Sequence, residues 1–256
     1  IIFREASYIF FIKNTVSGNA IVVISETPDY QKSTIKIHNN QVKLDNGHYG
    51  VAIGFCKNDE CEWLCREYYR HARRPKGLVT MSNTWGDRNG RTRVSDEFIR
   101  LEIDSAADLG LDVVQIDDGW LTGITANSLR KKGGVWEGFY ADNDDFWKVN
   151  EERFPNGLEP VVEKAKKHGL EMGLWFGPDS SNDFENYKKD VETLMHFYNT
   201  YGIRYFKLDG VKIRSKLCEM RFIEFMQELV NRTKGDMRFN LDVTAEDRFG
   251  YMYNAA

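Results

Sequence analysis

The chain has 256 residues, of which 41% are hydrophobic and 29% are charged, and its formal net charge is -4. This is the composition of a soluble globular protein with one large domain or two modest ones. The mild acidic excess gives no basis for binding nucleic acid, and no apolar run is long enough to cross a bilayer. We therefore expect neither nucleic acid nor a membrane as a partner.

Both ends of the sequence indicate a piece of a longer protein. Residue 1 is isoleucine rather than an initiating methionine, and Tyr251–Ala256 completes no predicted element. We therefore expect further chain outside this sequence. Its localisation and its oligomeric state stay open, a homo-oligomer of the full-length protein included.

The first part of the chain predicts antiparallel strands followed by a helix. Strand-forming residues occur in four short runs separated by turn residues. An aromatic and basic segment over Glu62–Arg74 predicts a linking helix that leads to Pro75. The four predicted strands are Ser7–Phe11, Ala20–Ile24, Ser33–His38 and Tyr49–Ile53.

Three of the four cysteines, Cys56, Cys61 and Cys65, cluster around one predicted turn, and Cys218 stands apart. No second cysteine pair or histidine pair supplies the spacing of a zinc site. The pattern favours free thiols in a reducing compartment. A disulfide between Cys56 and Cys61 or Cys65 is the alternative.

From Lys76 onward, strand-like runs alternate with amphipathic helical patterns. The first helical pattern places Phe98, Leu101 and Leu109 on one apolar face, and a later one spans Phe222–Leu229. The five predicted strands are Leu78–Trp85, Asp112–Ile116, Leu170–Phe176, Arg204–Leu208 and Met237–Val243.

Each predicted helix between these strands ends at a glycine, a residue that suits the left-handed conformation closing a helix. Gly169, Gly202 and Gly235 follow one another at intervals of 33 residues, and Gly110 precedes Gly169 by 59. A repeating strand-helix unit of this length implies a parallel sheet, either open and doubly wound or a (β/α) barrel. No glycine-rich phosphate loop is present, which weakens the nucleotide-binding version.

Alternating polar side chains favour the barrel. Gln115 and Asp117 share one face of the second predicted strand, and Asn240, Asp242 and Thr244 share one face of the fifth. An inner face that becomes polar toward the carboxyl ends of the strands suits a (β/α)8 TIM-type barrel. Five of the eight strands are visible, so we expect residues 75–256 to form a partial barrel domain and residues 1–74 to belong to another domain.

A lysine and a carboxylate share one face of the fourth predicted strand. Side chains alternate along a strand, so Lys207 and Asp209 lie on the same side, where an unpaired buried charge is costly. The lysine favours the ionised carboxylate, as a nucleophile requires. A turn or helix-cap role is the alternative for Asp209.

Polar and aromatic residues also end the neighbouring strands. Asp117 and Asp118 can grip sugar hydroxyls as strong acceptors, although Asp-Asp-Gly is equally good turn chemistry. Trp85 and Trp175 suit either core packing or a platform for a sugar's apolar face, and together they favour a carbohydrate site. The acidic run 142–145 lacks the glycine and terminal glutamate of a calcium loop, so we expect no metal or other cofactor.

Five segments in order resemble the signature segments of α-galactosidases of glycoside hydrolase family thirty-six and its melibiase-like relatives. The resemblance covers roughly residues 76–250 and implies that the preceding strands end a β-sandwich domain. It implies a retaining hydrolase that cleaves terminal α-galactosyl or related α-glycosyl residues of an oligosaccharide or glycoside. The segments are Asn83–Trp85, Ile116–Trp120, Phe154–Leu158, Gly173–Phe176 and Phe206–Asp209.

The resemblance also implies roles for single residues. By this resemblance Asp209 is the catalytic nucleophile, and the galactose subsite contains Trp85, Asp117, Asp118, Trp175 and Lys207.

The sequence departs from that family after the fifth strand. The family usually has Cys-Ser-Ser-Gly-Gly-Gly-Arg there, whereas this chain reads Asp-Val-Thr-Ala-Glu-Asp-Arg. Arg248 fits the pattern, and Asp242 stands in place of the cysteine near C2 of the sugar. The third strand ends Phe-Gly-Pro-Asp instead of Phe-Glu-Pro-Glu. These differences bear on which sugar is bound.

A retaining glycosidase needs two carboxylates about 5 Å apart. In the resembled family the second carboxylate comes from the sixth strand, so we expect the general acid/base beyond Ala256. Asp242, Glu246 and Asp247 are the local alternatives. A transglycosylase of the same family and a non-catalytic carbohydrate-binding fragment are the other functions that stay open.

Overall fold

The computed structural model describes residues 2–5, 9–25, 34–39, 41–45, 49–72, 77–87, 90–127, 133–141 and 144–242. These residues form two compact units, one within residues 1–77 and the other within residues 78–250. The elements of the first unit are β1 (Ile2–Glu5), β2 (Ile9–Lys13), β3 (Asn19–Ser25), β4 (Thr34–His38), β5 (Gln41–Asp45), β6 (Val51–Lys57) and α1 (Cys61–Ala72).

The first unit contains two antiparallel sheets, with strand orders β1-β4-β5 and β2-β3-β6. Phe10 and Val23 of the second sheet pack against Ile35 of the first in one buried cluster. On the other side of β3, Val22 packs against Cys61 of α1. Strand β3 is therefore covered on both faces, which explains its nearly continuous apolar sequence.

Most elements predicted for this unit are confirmed, and two strands, β1 and β5, are not among the four predicted runs. The predicted strands overlap β2, β3, β4 and β6, and the predicted helix corresponds to α1. Strand β5 escaped prediction because its two apolar residues are weak signals, and one of them, Val42, is 42% exposed. All four cysteines are free, and the Sγ atoms of Cys56 and Cys61 lie 3.7 Å apart, so the expectation of free thiols is confirmed.

The second unit is a five-stranded parallel sheet with strand order β11-β10-β9-β8-β7. Because strands that are consecutive in the chain are neighbours throughout, the doubly wound alternative, whose order reverses at a switch point, is wrong. The elements of this unit are β7 (Met81–Asn83), α2 (Asp96–Asp108), β8 (Val113–Ile116), α3 (Glu159–Lys167), β9 (Glu171–Phe176), α4 (Tyr187–Tyr201), β10 (Tyr205–Leu208), α5 (Lys216–Thr233) and β11 (Arg238–Leu241).

The sheet of the second unit curls into a half-barrel. Asn240 on β11 approaches Met81 on β7 within 3.8 Å, measured from Nδ2 to Sδ. In a flat sheet these two edge strands would be about 19 Å apart, since neighbouring strands are about 4.8 Å apart. The inner face is thus concave, and the barrel is not closed by the five strands.

Glycines end the helices of this unit as the sequence predicts. Gly110, Gly169, Gly202 and Gly235 all have φ between +68° and +76°. This left-handed region is open to glycine and strained for residues with a Cβ atom. Each glycine therefore stops a helix and turns the chain toward the next strand.

The predicted apolar face of α2 is wrong, although the helix itself is confirmed. Leu101 and Leu109 are 58% and 74% exposed, whereas Ile99, Ile103 and Ala106 are buried. Both sets repeat with the period of a helix, so the sequence contains two candidate apolar faces for α2. The predicted face of α5, in contrast, is buried.

The first strand of the sheet is shorter than the predicted Leu78–Trp85. It ends at Asn83, whose side chain Oδ1 accepts a hydrogen bond of 2.8 Å from the backbone N–H of Trp85. This bond turns residues 84–86 into a short 3-10 helix. Of the helices in the described ranges, none combines the length and apolar character of a membrane-spanning segment.

Replacement of Gly202 by alanine tests the role of the helix-ending glycines. Gly202 has φ +69°, so Gly202→Ala should lower the stability of this unit by about 1–2 kcal/mol. Gly86→Ala is the matched control, because no heavy atom lies within 4 Å of an added Cβ there and φ is not positive. Urea denaturation followed by tryptophan fluorescence measures the difference, and equal midpoints for both variants would contradict the assignment.

Candidate active site

The curled sheet brings its charged residues together at the carboxyl ends of the strands. Lys207 lies on β10 opposite Trp175 on β9 and Asn240 on β11. Asp209 follows β10 directly, and Asp117 follows β8 in the same way. Because all strands are parallel, these ends meet at one edge of the sheet, as in a (β/α) enzyme.

The ammonium group of Lys207 joins three strands. Its Nζ donates a hydrogen bond of 2.9 Å to Asp117 Oδ2 and lies 3.2 Å from Asp242 Oδ2. Burial lowers the pKa of Lys207, but the carboxylates of Asp117, Asp209 and Asp242 outweigh it and raise that pKa above its usual value. Lys207 is therefore charged at neutral pH, and its contribution to stability is lost only as the pH rises through this raised pKa.

The Asp209 carboxylate is buried and its two oxygens are held separately. Trp175 donates from Nε1 to Oδ2 over 2.9 Å, and the backbone N–H of Gly210 donates to Oδ1 over 2.6 Å. Asp209 is 6% exposed and Trp175 is fully buried. The burial of the Trp175 ring corresponds to the core-packing alternative, and its role as a sugar platform stays a prediction. The indole N–H of Trp175 fixes the orientation of Asp209.

The adjacent carboxylates Asp117 and Asp118 point in different directions. Asp117 faces Lys207, and its backbone N–H donates to Thr84 Oγ1 over 2.9 Å. Asp118 Oδ2 accepts a hydrogen bond from Thr125 Oγ1. Burial raises the pKa of Asp118, and the nearby Arg91 opposes that shift only in part. The pair thus separates into one carboxylate at the strand end and one buried in the loop.

Arg91 and Thr125 form a buried support that the sequence analysis missed. Arg91 Nη1 lies 3.6 Å from Asp118 Oδ1 and donates to Thr125 Oγ1 over 3.0 Å. Arg91 lies in a three-residue 3-10 helix and Thr125 in a loop, and both segments are too short for a periodic pattern to mark a side chain as buried. Their contact with Asp118 arises only from the fold, so the sequence carried no signal for it.

Two other predicted site residues are placed differently. Trp85 lies on the 3-10 turn after β7, 42% exposed, with its ring against the backbone of Gly90. Arg248 lies outside the described residues, as do Thr244, Glu246 and Asp247. The structure therefore gathers Asp117, Trp175, Lys207, Asp209 and Asp242 and leaves Trp85 on the neighbouring turn. Within residues 2–242, apart from the gaps, no group of three or more His, Cys, Asp or Glu side chains could hold a metal ion.

Charged and aromatic side chains at the carboxyl ends of parallel strands are arranged in the second unit as they are in (β/α) enzymes. Residues 57–201, more than half of the chain, match the Melibiase family model. The chain belongs to that family.

Several known proteins that are similar to this chain are α-galactosidases. AgaA of Geobacillus stearothermophilus is 30% identical over 137 residues, which cover 53% of this chain and 16% of that protein. An α-galactosidase of Escherichia coli is 36% identical over 86 residues, 34% of this chain and 10% of that protein. The chain therefore spans about a sixth, or less, of the length of these relatives.

Solved structures share the fold. The α-galactosidase TtGalA of Thermus thermophilus, in complex with p-nitrophenyl α-D-galactopyranoside, superposes with a TM-score of 0.61 at 19% identity. The match covers 92% of this chain and 52% of TtGalA. The half-barrel of the second unit thus has a fold that is known from solved structures.

Replacement of Lys207 by methionine tests the charge network. Lys207→Met removes the cation from a site where its side chain is only 12% exposed and leaves Asp117 and Asp242 without it. Removing one partner of a buried ion pair typically destabilises by about 3 kcal/mol or more, so the denaturation midpoint should fall clearly at pH 7. Lys166→Met, at an exposed position of α3, is the control. A Lys207→Met midpoint equal to that of Lys166→Met would show that the network does not stabilise the fold.

Proposed function

We propose that the protein containing this chain is a retaining glycoside hydrolase that releases terminal α-galactosyl residues from an oligosaccharide or glycoside. The observation that carries the proposal is the Asp209 carboxylate, buried at the end of β10 and oriented by Trp175. Lys207 supplies a positive charge on the same strand face. Membership of the Melibiase family, with α-galactosidases as relatives, supports the choice of sugar.

In the proposed reaction, an oxygen of Asp209 attacks the anomeric carbon of the galactosyl unit. The bond from that carbon to the leaving oxygen breaks, and a general acid gives this oxygen a proton. Water, deprotonated by the same group acting as base, then releases galactose from Asp209. The donors Trp175 Nε1 and Gly210 N hold the carboxylate in one orientation. This lowers the entropic part of the activation free energy for the attack by Asp209.

The neighbouring charges are proposed to bind the sugar hydroxyl groups. Asp117 and Asp242 are acceptors and Lys207 is a donor, so together they match hydroxyls that both donate and accept. Ionised acceptors form hydrogen bonds stronger than neutral ones. The roles of Asp118, Trp85 and Arg248 in substrate binding remain predictions. Asp118 is enclosed by its own loop, and Arg248 lies outside the described residues.

The general acid/base is proposed to come from a sixth strand beyond Ala256. Asp242 Oδ2 lies 3.2 Å from the Lys207 ammonium, so we assign Asp242 to sugar binding rather than to this role. We further propose that β7–β11 are the first five strands of a closed (β/α)8 barrel. The inward curl of the sheet and the fold of TtGalA support this proposal.

Asp209→Asn in the full-length protein tests the nucleophile. Loss of the attacking carboxylate should lower kcat on p-nitrophenyl α-D-galactopyranoside by about four orders of magnitude or more. Asp108→Asn, at an exposed position near the end of α2, should keep full activity. Full activity of Asp209→Asn would refute the assignment.

Product analysis with the same preparation separates the related functions. If the enzyme is retaining, we expect the α-anomer of galactose to be the first product observed by proton NMR. Transfer of galactose to added acceptor sugars in preference to water would favour a transglycosylase. Binding of galactose without any turnover would favour a non-catalytic carbohydrate-binding protein.

Trp175→Phe tests the orientation of the nucleophile. The substitution keeps a buried aromatic ring and removes the N–H that donates to Asp209. A hydrogen bond to a charged group contributes about 1.5–3 kcal/mol, so kcat should fall about 10-fold to 100-fold. Trp63→Phe is the matched control, because Trp63 lies at an exposed position of α1. An unchanged kcat would show that this bond does not matter for the reaction.

A further inference from the structure

Trp136 lies beside the candidate nucleophile without appearing in any predicted motif. Its ring centroid is 6.3 Å from that of Trp175, in an edge-to-face arrangement. On another side the ring covers the backbone of Gly210, where an added Cβ would lie 3.5 Å from Trp136 Cε3. Trp136 therefore stands over the residue that follows Asp209, and its side chain is only half-buried.

Buried hydrogen bonds hold the segment 133–141 that carries Trp136. The backbone N–H of Gly138 donates to Asp179 Oδ1 over 2.7 Å. Tyr140 donates from its hydroxyl to Asp190 Oδ1 over 2.7 Å, and the N–H of Asp179 donates to Asp190 Oδ2 over 2.9 Å. Both carboxylates are fully buried. Buried hydrogen bonds hold a segment firmly, because breaking one would leave a buried polar group without a partner.

Packing at the carboxyl end of β9 also fixes this segment. Phe139 is buried, and an added Cβ at Gly177 would lie 3.3 Å from its ring. The absence of a side chain at position 177 thus leaves room for Phe139. The segment is held closely against the end of the strand that carries Trp175.

The start of the segment is tied to the loop that holds Asp118. Val135 forms an isolated bridge with Thr125, whose hydroxyl donates to Asp118. Gly134 permits this approach, because an added Cβ would lie 2.0 Å from the Thr125 carbonyl oxygen. Trp136 is consequently positioned by the same loop that positions a predicted sugar-binding carboxylate.

We propose that Trp136 is a substrate-contacting residue that presents its ring to the apolar face of the galactosyl unit held at Asp209. This inference rests on the proposed function. Trp175 is fully buried, whereas Trp136 is only half-buried and its segment is held by buried hydrogen bonds. Aromatic rings on fixed supports bind the flat apolar faces of ligands well because little side-chain freedom is lost.

Two substitutions in the full-length protein separate a flat ring from mere apolar volume. Trp136→Phe keeps an aromatic face, and Trp136→Leu keeps apolar bulk alone. Trp63→Leu, at a 55% exposed position, is the control. The affinity for D-galactose is measured by titration calorimetry, and kcat and KM on p-nitrophenyl α-D-galactopyranoside are measured in parallel.

We expect Trp136→Leu to bind galactose about tenfold more weakly, with a matching rise in KM, and Trp136→Phe to stay within about threefold. Galactose affinity unchanged in Trp136→Leu would overturn the inference. An effect confined to the leaving group, with galactose binding intact, would overturn it as well. So would an equal loss in both variants, because a ring would then not be the determinant.

A spectroscopic measurement covers the case in which Trp136→Leu does not fold. In protein labelled with 5-fluorotryptophan, the fluorine resonance of Trp136 is identified by its absence from Trp136→Phe. Addition of D-galactose should shift this resonance, and an unshifted resonance at saturation would contradict the contact.

Comparison of the wild-type protein with the Trp136 variants distinguishes this inference from the proposed function. If the wild-type protein hydrolyses the galactoside and the Trp136 variants keep its galactose affinity and its turnover, the inference alone is refuted. Trp136-dependent galactose binding without turnover refutes hydrolysis and supports the contact. Absence of both binding and turnover refutes both.

Discussion

One buried ammonium group, that of Lys207, determines how the candidate site is arranged. Its Nζ lies within 3.2 Å of carboxylates that follow β8 and β11, strands that are three positions apart and would be about 14 Å apart in a flat sheet. The ion network is therefore possible only because the sheet curls. The carboxylates in turn would repel one another without the cation. Curvature and charge thus depend on each other, and the position of Asp209 follows from both.

The fold was predictable where the sequence is regular. The intervals between Gly110, Gly169, Gly202 and Gly235 identified a repeating strand-helix unit, because a left-handed residue must close each helix. Prediction failed where two solutions fit equally well, as for the two apolar stripes of α2. It also failed where the apolar signal was weak, as in β5 with its half-exposed Val42. Local patterns show that an element exists, whereas the face it buries depends on its neighbours.

The candidate site was predictable to the same extent. Lys207 and Asp209 could be found because a charged pair on one face of an otherwise apolar strand is anomalous, and Asp117 follows the same alternation. Arg91, Thr125 and Trp136 could not be found in this way. Arg91 lies in a three-residue 3-10 helix and the other two residues in irregular segments. They reach the site through contacts distant in sequence, such as the bond from Arg91 to Thr125. The predicted strand position of Trp175 is confirmed, whereas the burial of its ring depends on the packing of other segments.

The contact between Gly177 and Phe139 links two parts of the chain that are far apart in sequence. Because an added Cβ at position 177 would meet the Phe139 ring at 3.3 Å, a side chain there requires this ring to shift by a few tenths of an ångström. The residue at position 177 and the segment 133–141 are therefore coupled. An exchange of this loop between homologous proteins preserves the contact best when residue 177 is transferred together with it.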